Sequence, residues 1–250
     1  MTHPGGAVDL TAYLAWLFDL DGVLTDTAEV HAAAWKAAFD PILAVESASR
    51  GVPLVPFDPA DDYLRFVDGR PRTDGVRTFL GARGIRLDEG RPGDRPAART
   101  VAGVANGKND LLLDILERDG VRVCSGAVNL LRTLRAGAVR TAVVSASENT
   151  RAVLRAGGID GLMDICVDGI VVRQRGLAGK PAPDSYLEAA RLLDVPPERA
   201  VVVEDALVGV EAGRSGGFGL VVGVDHRGQR DALVAHGADI VVGDLADLVP

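Results

Sequence analysis

Ala15-Trp16-Leu17-Phe18-Asp19-Leu20-Asp21-Gly22-Val23 is the stretch on which the fold turns. Four apolar residues run straight into two acids and a glycine. An apolar run of that length without polar alternation reads as a strand covered on both faces, as in a parallel sheet. Acids at its end then stand where an open parallel sheet binds ligands, outside the carboxyl ends of its strands.

Five more runs of the same kind follow: Thr141-Ala142-Val143-Val144, Ile165-Cys166-Val167, Ala200-Val201-Val202-Val203, Leu220-Val221-Val222 and Ile240-Val241-Val242. Helical patterns over 126–135, 149–156, 183–193 and 207–214 separate most of them. Strands alternating with helices predict a doubly wound α/β domain with a parallel sheet. The alternation lapses between about 25 and 121, where helical patterns at 28–39, 75–82 and 108–117 are joined by Pro/Gly-rich connections at 51–59 and 88–96. That stretch reads as a mostly helical insertion. The expected organisation is an α/β core of residues 1–25 and 122–250 interrupted by a helical cap of residues 26–121. The last two strands are expected to contribute to the fold and nothing to the chemistry.

A second acidic pair, Glu204-Asp205, follows the strand 200–203. Both pairs therefore fall at one edge of the sheet. Two like charges about 4 Å apart repel by roughly 4 kcal/mol at an effective dielectric near 20, so such a cluster calls for a cation or an altered protonation state. An all-oxygen donor set suits Mg²⁺, which shares its shell with water and substrate phosphate. An acid after a strand also serves as an ordinary helix cap, but two further residues at strand ends favour a site. Ser145 follows the strand 141–144 and offers a hydroxyl to a phosphoryl oxygen. Lys180, in Gly179-Lys180-Pro181-Ala182-Pro183-Asp184, offers a charge that neutralises such a group and Asp19. The 27 basic residues include only three lysines, Lys36, Lys108 and Lys180. In so arginine-rich a chain, a lysine marks a place where a compact ammonium suits better than a planar guanidinium.

Composition narrows the partners. The chain is 47% hydrophobic and 25% charged, with a net charge of −8. An extended nucleic-acid surface would need a basic footprint, which this balance argues against. No apolar run approaches the roughly 20 residues of a membrane span, and the start of the chain lacks a basic leader. Cys124 and Cys166 have no metal-ligand spacing and read as reduced core thiols. The expectation is a cytoplasmic protein without an obligate protein partner.

In order and context, Asp19-Leu20-Asp21-Gly22-Val23, Ser145, Lys180 and Glu204-Asp205 resemble the four motifs of the haloacid dehalogenase-like superfamily, over the whole chain. The resemblance implies a Rossmann-like core with an inserted cap and a phosphoryl-transfer chemistry in which Asp19 is the covalent nucleophile. It further implies that Asp21 is general acid and base, and that Mg²⁺ is held by Asp19, the carbonyl of Asp21 and Asp205, with Glu204 nearby. Glu204 is left with two alternatives, ligating the metal or orienting Lys180 or a metal-bound water.

The flanking residues Thr25-Asp26-Thr27-Ala28-Glu29-Val30-His31, followed by Ala34-Trp35, are similar to the β-phosphoglucomutase family. There the residue matching His31 hydrogen-bonds the acid/base and couples cap closure to substrate binding. Val67-Asp68-Gly69-Arg70-Pro71-Arg72 resembles the cap loop whose arginine grips the phosphate not being transferred, with Arg72 the better match and Arg70 the competitor. Asn106-Gly107-Lys108-Asn109 resembles the stretch whose lysine reaches the sugar, and Thr27 falls in the same substrate-binding set. Ser145-Ala146-Ser147-Glu148-Asn149 resembles the loop that binds the second phosphate through Ser147 and Asn149. Glu148 departs from the pattern, because mutases of this group often carry lysine there. It is expected to point away from the phosphate, with Arg72 bearing more of the load and Arg151 as a substitute. The implied substrate is a small phosphorylated sugar. The implied reaction interconverts β-glucose 1-phosphate and glucose 6-phosphate through a 1,6-bisphosphate; the alternative is a Mg-dependent sugar-phosphate phosphatase on the same scaffold.

Overall fold

The computed structural model describes residues 9–249. The chain divides into two compact units, one formed by the residues up to Asp26 together with those from Val121 onward, the other by Thr27–Gly120.

The first unit is built on six parallel strands: β1 (Ala15–Phe18), β2 (Arg140–Val144), β3 (Ile165–Val167), β4 (Ala200–Glu204), β5 (Leu220–Val224) and β6 (Ile240–Val242). Their order is β3-β2-β1-β4-β5-β6. The chain thus winds outward from β1 on one side and returns to build outward on the other. The crevice at such a reversal lies at the carboxyl ends of β1 and its neighbours. Ala15, Trp16, Leu17 and Phe18 are all fully buried, which is why the run shows no polar alternation. Ala15 and Leu17, with Ala142, Val144 and Val202, pack against Tyr186, Ala189 and Leu193 of a covering helix.

The second unit is helical. Its helices are α1 (Ala28–Arg50), α2 (Arg72–Ala82) and α3 (Val101–Asp119), with a π-helical turn at Tyr63–Val67. The helices that cover the sheet are α4 (Ser125–Ala136), α5 (Thr150–Ala156), α6 (Gly169–Arg175), α7 (Asp184–Leu193), α8 (Leu207–Ser215) and α9 (Arg230–His236).

Helix α1 runs eleven residues past the expected end at Phe39, straight through Pro41, and stops at Gly51 in the left-handed region. An internal proline forfeits a backbone hydrogen bond and crowds the preceding turn. Here the loss is offset by burial, because Phe39 and Leu43 on either side of Pro41 lie in the unit's apolar core with Trp35, Phe57 and Phe79. Trp35 stacks on Phe39 at 4.9 Å and Phe39 meets Phe79 at 4.4 Å between ring centroids. Aromatic pairs of this geometry add about 0.5–1.5 kcal/mol each beyond area burial. The carboxylate of Asp40 also accepts from the backbone N–H of Phe57 at 2.8 Å, pinning the returning chain. No helix among the described residues is long and apolar enough to cross a membrane.

Candidate active site

The register of β1 on β4 places Phe18 beside Val203, so Asp19 and Glu204 leave the sheet side by side. The backbone N–H of Asp19 still donates to the carbonyl of Val203 at 3.0 Å. Strand β4 includes Glu204, one residue beyond the end expected from sequence, and Glu204 is paired with Gly223 of β5. Asp19, Glu204 and Asp205 are buried, and carboxylate oxygens from all three lie within 4.8 Å of one another.

Lys180 enters this cluster from the segment before α7. Its ammonium donates to Asp19 Oδ1 and to Glu204 Oε1, both at 2.5 Å, and reaches the carbonyl of Val144 at 3.4 Å. Burial alone would favour the neutral amine, but Asp19 and Glu204 outweigh it and hold Lys180 well above the usual lysine range. Asp19 is pushed up, first by burial and then by Glu204 and Asp21, with Lys180 pulling the other way. One ammonium among three buried carboxylates leaves negative charge uncompensated, the condition under which a further cation binds.

Glu204 is fully engaged. Besides Lys180, its Oε1 accepts from Tyr186 Oη at 3.0 Å, and its Oε2 accepts from the backbone N–H of Ala206 at 3.0 Å. Of the two roles left open for Glu204, this geometry favours orienting Lys180. Two glycines make the close approaches possible. A Cβ on Gly209 would lie 1.7 Å from Glu204 Oε1, and one on Gly22 would lie 1.9 Å from Asp205 Oδ2. Gly22 also has φ +84°, in the left-handed region that favours glycine.

Ser145 is buried at the end of β2, and its Oγ accepts from the N–H of Ser147 at 3.1 Å. Its own hydrogen remains to donate. Ser147 Oγ in turn accepts from the N–H of Asn149 at 3.1 Å, so the loop 145–149 is a chain of hydroxyl-to-backbone turns. The carbonyl of Ser147 accepts from Thr150 Oγ1 and from the N–H of Gly169, tying the loop to the start of α6. Glu148 forms an ion pair with Arg173 of α6. Arg151 Nε donates to Asp168 at 3.0 Å, and its guanidinium also reaches the Cys166 carbonyl.

In the helical unit, His31 lies on the first turn of α1 and Lys108 in the middle of α3. Lys108 is buried, with its ammonium 3.1 Å from His31 Nδ1 and 5.1 Å from the centroid of the Trp35 ring. A lysine ammonium only donates, so Nδ1 is the acceptor and the imidazole proton sits on Nε2. Thr27 is buried just before α1, and its carbonyl accepts from the N–H of His31 at 2.9 Å. Arg72 opens α2, where burial lowers its guanidinium from the ordinary value and Asp110 opposes the shift. Lys36 is different in kind from the other two lysines. It is half-exposed and pairs with Asp40 and the carbonyl of Phe57.

Tyr186 is absent from the sequence-derived set of site residues, as are two side chains after β5. Gln229 Nε2 donates to the carbonyl of Asp205 at 2.9 Å, and His226 Nε2 donates to the carbonyl of Gly22 at 2.8 Å. The strand β5 itself adds only to the fold, as expected, but the loop at its carboxyl end touches both acid-bearing turns. The signal was positional, since that loop leaves the same sheet edge as Asp19 and Asp205.

A parallel sheet with a buried lysine among clustered buried acids at its carboxyl edge defines a class, and comparison with known proteins agrees. A family model described as haloacid dehalogenase-like hydrolase matches residues 13–217, and the chain belongs to that family. Within it, the chain is 52% identical to the β-phosphoglucomutase of Mycobacterium tuberculosis over 94% of its own length and 91% of the relative's. It is 30% identical to the β-phosphoglucomutase of Bacillus subtilis, again over 94% and 91%. A β-phosphoglucomutase structure from Clostridium difficile shares the fold with a TM-score of 0.73 at 24% identity, covering 94% of this chain and 93% of that one.

Proposed function

We propose that this protein is a β-phosphoglucomutase, interconverting β-D-glucose 1-phosphate and glucose 6-phosphate through a phosphorylated Asp19 and a 1,6-bisphosphate. The observation that carries the reading is the buried constellation in which Lys180 bridges Asp19 and Glu204 beside Asp205. The 52% identity to a β-phosphoglucomutase supports the choice of reaction within the family.

The donor set fits a hard divalent cation. It is all carboxylate and carbonyl oxygen, buried, and negative in excess of Lys180. With Glu204 committed to Lys180 and Tyr186, the residues that would hold Mg²⁺ are Asp19, Asp205 and the Asp21 carbonyl. When bound, Mg²⁺ supplies charge compensation for the phosphoryl oxygens and the carboxylates around them.

Asp19 attacks phosphorus, forming the Asp19–O–P bond as the bond from phosphorus to the sugar oxygen breaks. Asp21 gives its proton to that departing oxygen. Lys180 and the Ser145 hydroxyl donate to the phosphoryl oxygens, stabilising charge that is greatest in the transition state. In the complementary half, Asp21 takes a proton from the free hydroxyl of a sugar monophosphate as that oxygen attacks the phosphorus on Asp19 and the Asp19–O–P bond breaks, giving the 1,6-bisphosphate. Once this turns end for end, Asp19 takes its other phosphate and the isomeric monophosphate is left. Lys108, His31 and Thr27 are assigned to the sugar and its orientation, and Arg72, Ser147 and Asn149 to the phosphate that is not being transferred. Pairing of Glu148 with Arg173 cancels the charge that would otherwise repel a phosphate at this loop. Holding a sugar hydroxyl in place of water gains from the high effective molarity of an oriented group.

The test supplies β-glucose 1-phosphate, Mg²⁺ and a trace of the bisphosphate, and follows glucose 6-phosphate and free phosphate together. Isomer formation well ahead of phosphate release is expected. Rapid phosphate release without isomer would instead establish a phosphatase.

A further inference from the structure

The loop at the end of β5, residues 225–229, hydrogen-bonds both turns that carry the acids. His226 Nε2 donates to the Gly22 carbonyl at 2.8 Å, next in the chain to Asp21. Gln229 Nε2 donates to the Asp205 carbonyl at 2.9 Å. The loop is itself braced. Asp225 accepts from the backbone N–H groups of Arg227 at 3.1 Å, Gln229 at 2.9 Å and Arg230 at 3.2 Å, and Arg230 anchors to the Val241 carbonyl at 2.8 Å. The two turns also meet directly, since Gly22 packs so closely on the Asp205 carboxylate that a Cβ there has no room.

We infer that His226 and Gln229 are positioning residues, and that the braced loop sets the separation between the Asp21 carbonyl and the Asp205 carboxylate at the value a divalent cation requires. Neither side chain reaches the reacting atoms. Each acts through a backbone carbonyl of a turn, and together they make one loop answer for the spacing of two oxygen ligands that come from strands distant in sequence. A hard cation of near-octahedral geometry tolerates little error in that spacing. Groups one step behind the ligands therefore govern affinity, and losing them costs about 10–100-fold in metal binding. This inference rests on reading Asp19, Asp21 and Asp205 as the metal-holding residues.

The test compares His226→Ala, Gln229→Ala, the double variant and the near-isosteric Gln229→Glu, which loses the amide donor while keeping the shape. Mg²⁺ affinity is measured by titration calorimetry without substrate, alongside the Mg²⁺ dependence of turnover and the melting temperature in EDTA. About tenfold weaker Mg²⁺ binding is expected for Gln229→Ala and Gln229→Glu, and more for the double variant. Activity should be regained at high Mg²⁺, while melting in EDTA stays near that of the unaltered protein. His226→Gln, which keeps a donor, should recover part of the affinity lost in His226→Ala. Mg²⁺ affinity within twofold of the unaltered protein in the double variant would overturn the inference, as would a loss matched by an equal fall in EDTA stability. An unaltered protein that binds Mg²⁺ but only releases phosphate would refute the mutase reading and leave this inference standing or falling on its own affinities.

Discussion

Tyr186 and Lys180 converge on a single oxygen atom. The Tyr186 phenol donates to Glu204 Oε1 at 3.0 Å, and the Lys180 ammonium donates to the same atom at 2.5 Å while lying 5.0 Å from the centroid of the Tyr186 ring. The tyrosine thus fixes the carboxylate that fixes the lysine, and its ring walls the lysine in. Tyr186→Phe keeps the wall and removes the donor. A hydrogen bond to a buried charged group is worth about 1.5–3 kcal/mol, so denaturant unfolding should show a loss in that range, with turnover falling several-fold and KM nearly constant. Unchanged stability and turnover would show that the phenol is dispensable to Glu204.

Removing Lys180 should be far more costly to chemistry. Lys180→Met strips the ammonium from Asp19 and leaves two buried carboxylates facing each other, so steady-state turnover should fall at least about 10²–10³-fold. Breaking a buried pair by deleting one partner typically destabilises by about 3–5 kcal/mol, whereas replacing both partners is far milder. The double variant Lys180→Met/Glu204→Gln should accordingly be more stable than Lys180→Met while remaining as inactive. A double variant less stable than either single one would contradict the mutual neutralisation described here.

His31 and Lys108 give a prediction that separates the two half-reactions. With its proton on Nε2, His31 is assigned to orientation of the acceptor sugar rather than to attack on phosphorus. His31→Ala should cut isomer formation by a larger factor than the slow hydrolysis of phosphorylated Asp19. Parallel assays of both products decide it, and equal losses would count against the assignment. Asp19→Asn should abolish both.

Much of this site was legible in the chain and part was not, for identifiable reasons. The strands announced themselves because burial on both faces removes polar residues from the run, and the acids because they interrupt apolar segments at one edge. Lys108 and Lys180 stood out because an arginine-rich chain kept lysine there, and both are buried while Lys36 is not. Tyr186 was illegible, since a tyrosine on an apolar helix face looks like core until its hydroxyl is seen on Glu204. The pattern expected over 28–39 falls short of the end of α1 because the helix continues through Pro41, where packing on both sides of the proline overrules its local penalty. The pairing of Glu148 with Arg173 depends on the return of α6 beneath the loop, which no local pattern encodes.

The two cysteines yield a pH prediction. Burial pushes Cys166 from 9.0 up to about 11, with Arg151 pulling it down and Asp168 adding to the rise. Cys124 is likewise pushed up to about 11, chiefly by burial. A thiol whose folded pKa exceeds its unfolded one favours folding while it stays protonated. That contribution is complete below about pH 9 and is lost as pH rises toward 11. Alkylation by iodoacetamide at pH 8 should be about a hundredfold slower in the native protein than in urea, in line with the thiolate fraction. Equal rates in the two states would refute the assignment.

The strand order has a consequence for how the chain is made. Strand β1 is made before the other five strands and is one of the two central ones, yet its two partners, β2 and β4, are encoded far downstream. With synthesis at about 5–20 residues per second, the apolar run Ala15–Phe18 waits for seconds with both edges unpaired, while Thr27–Gly120, which has its own aromatic core, emerges in full before the sheet can begin. Nascent chains halted before Val144 should therefore carry a protease-resistant helical unit and an unpaired apolar segment at Ala15–Phe18.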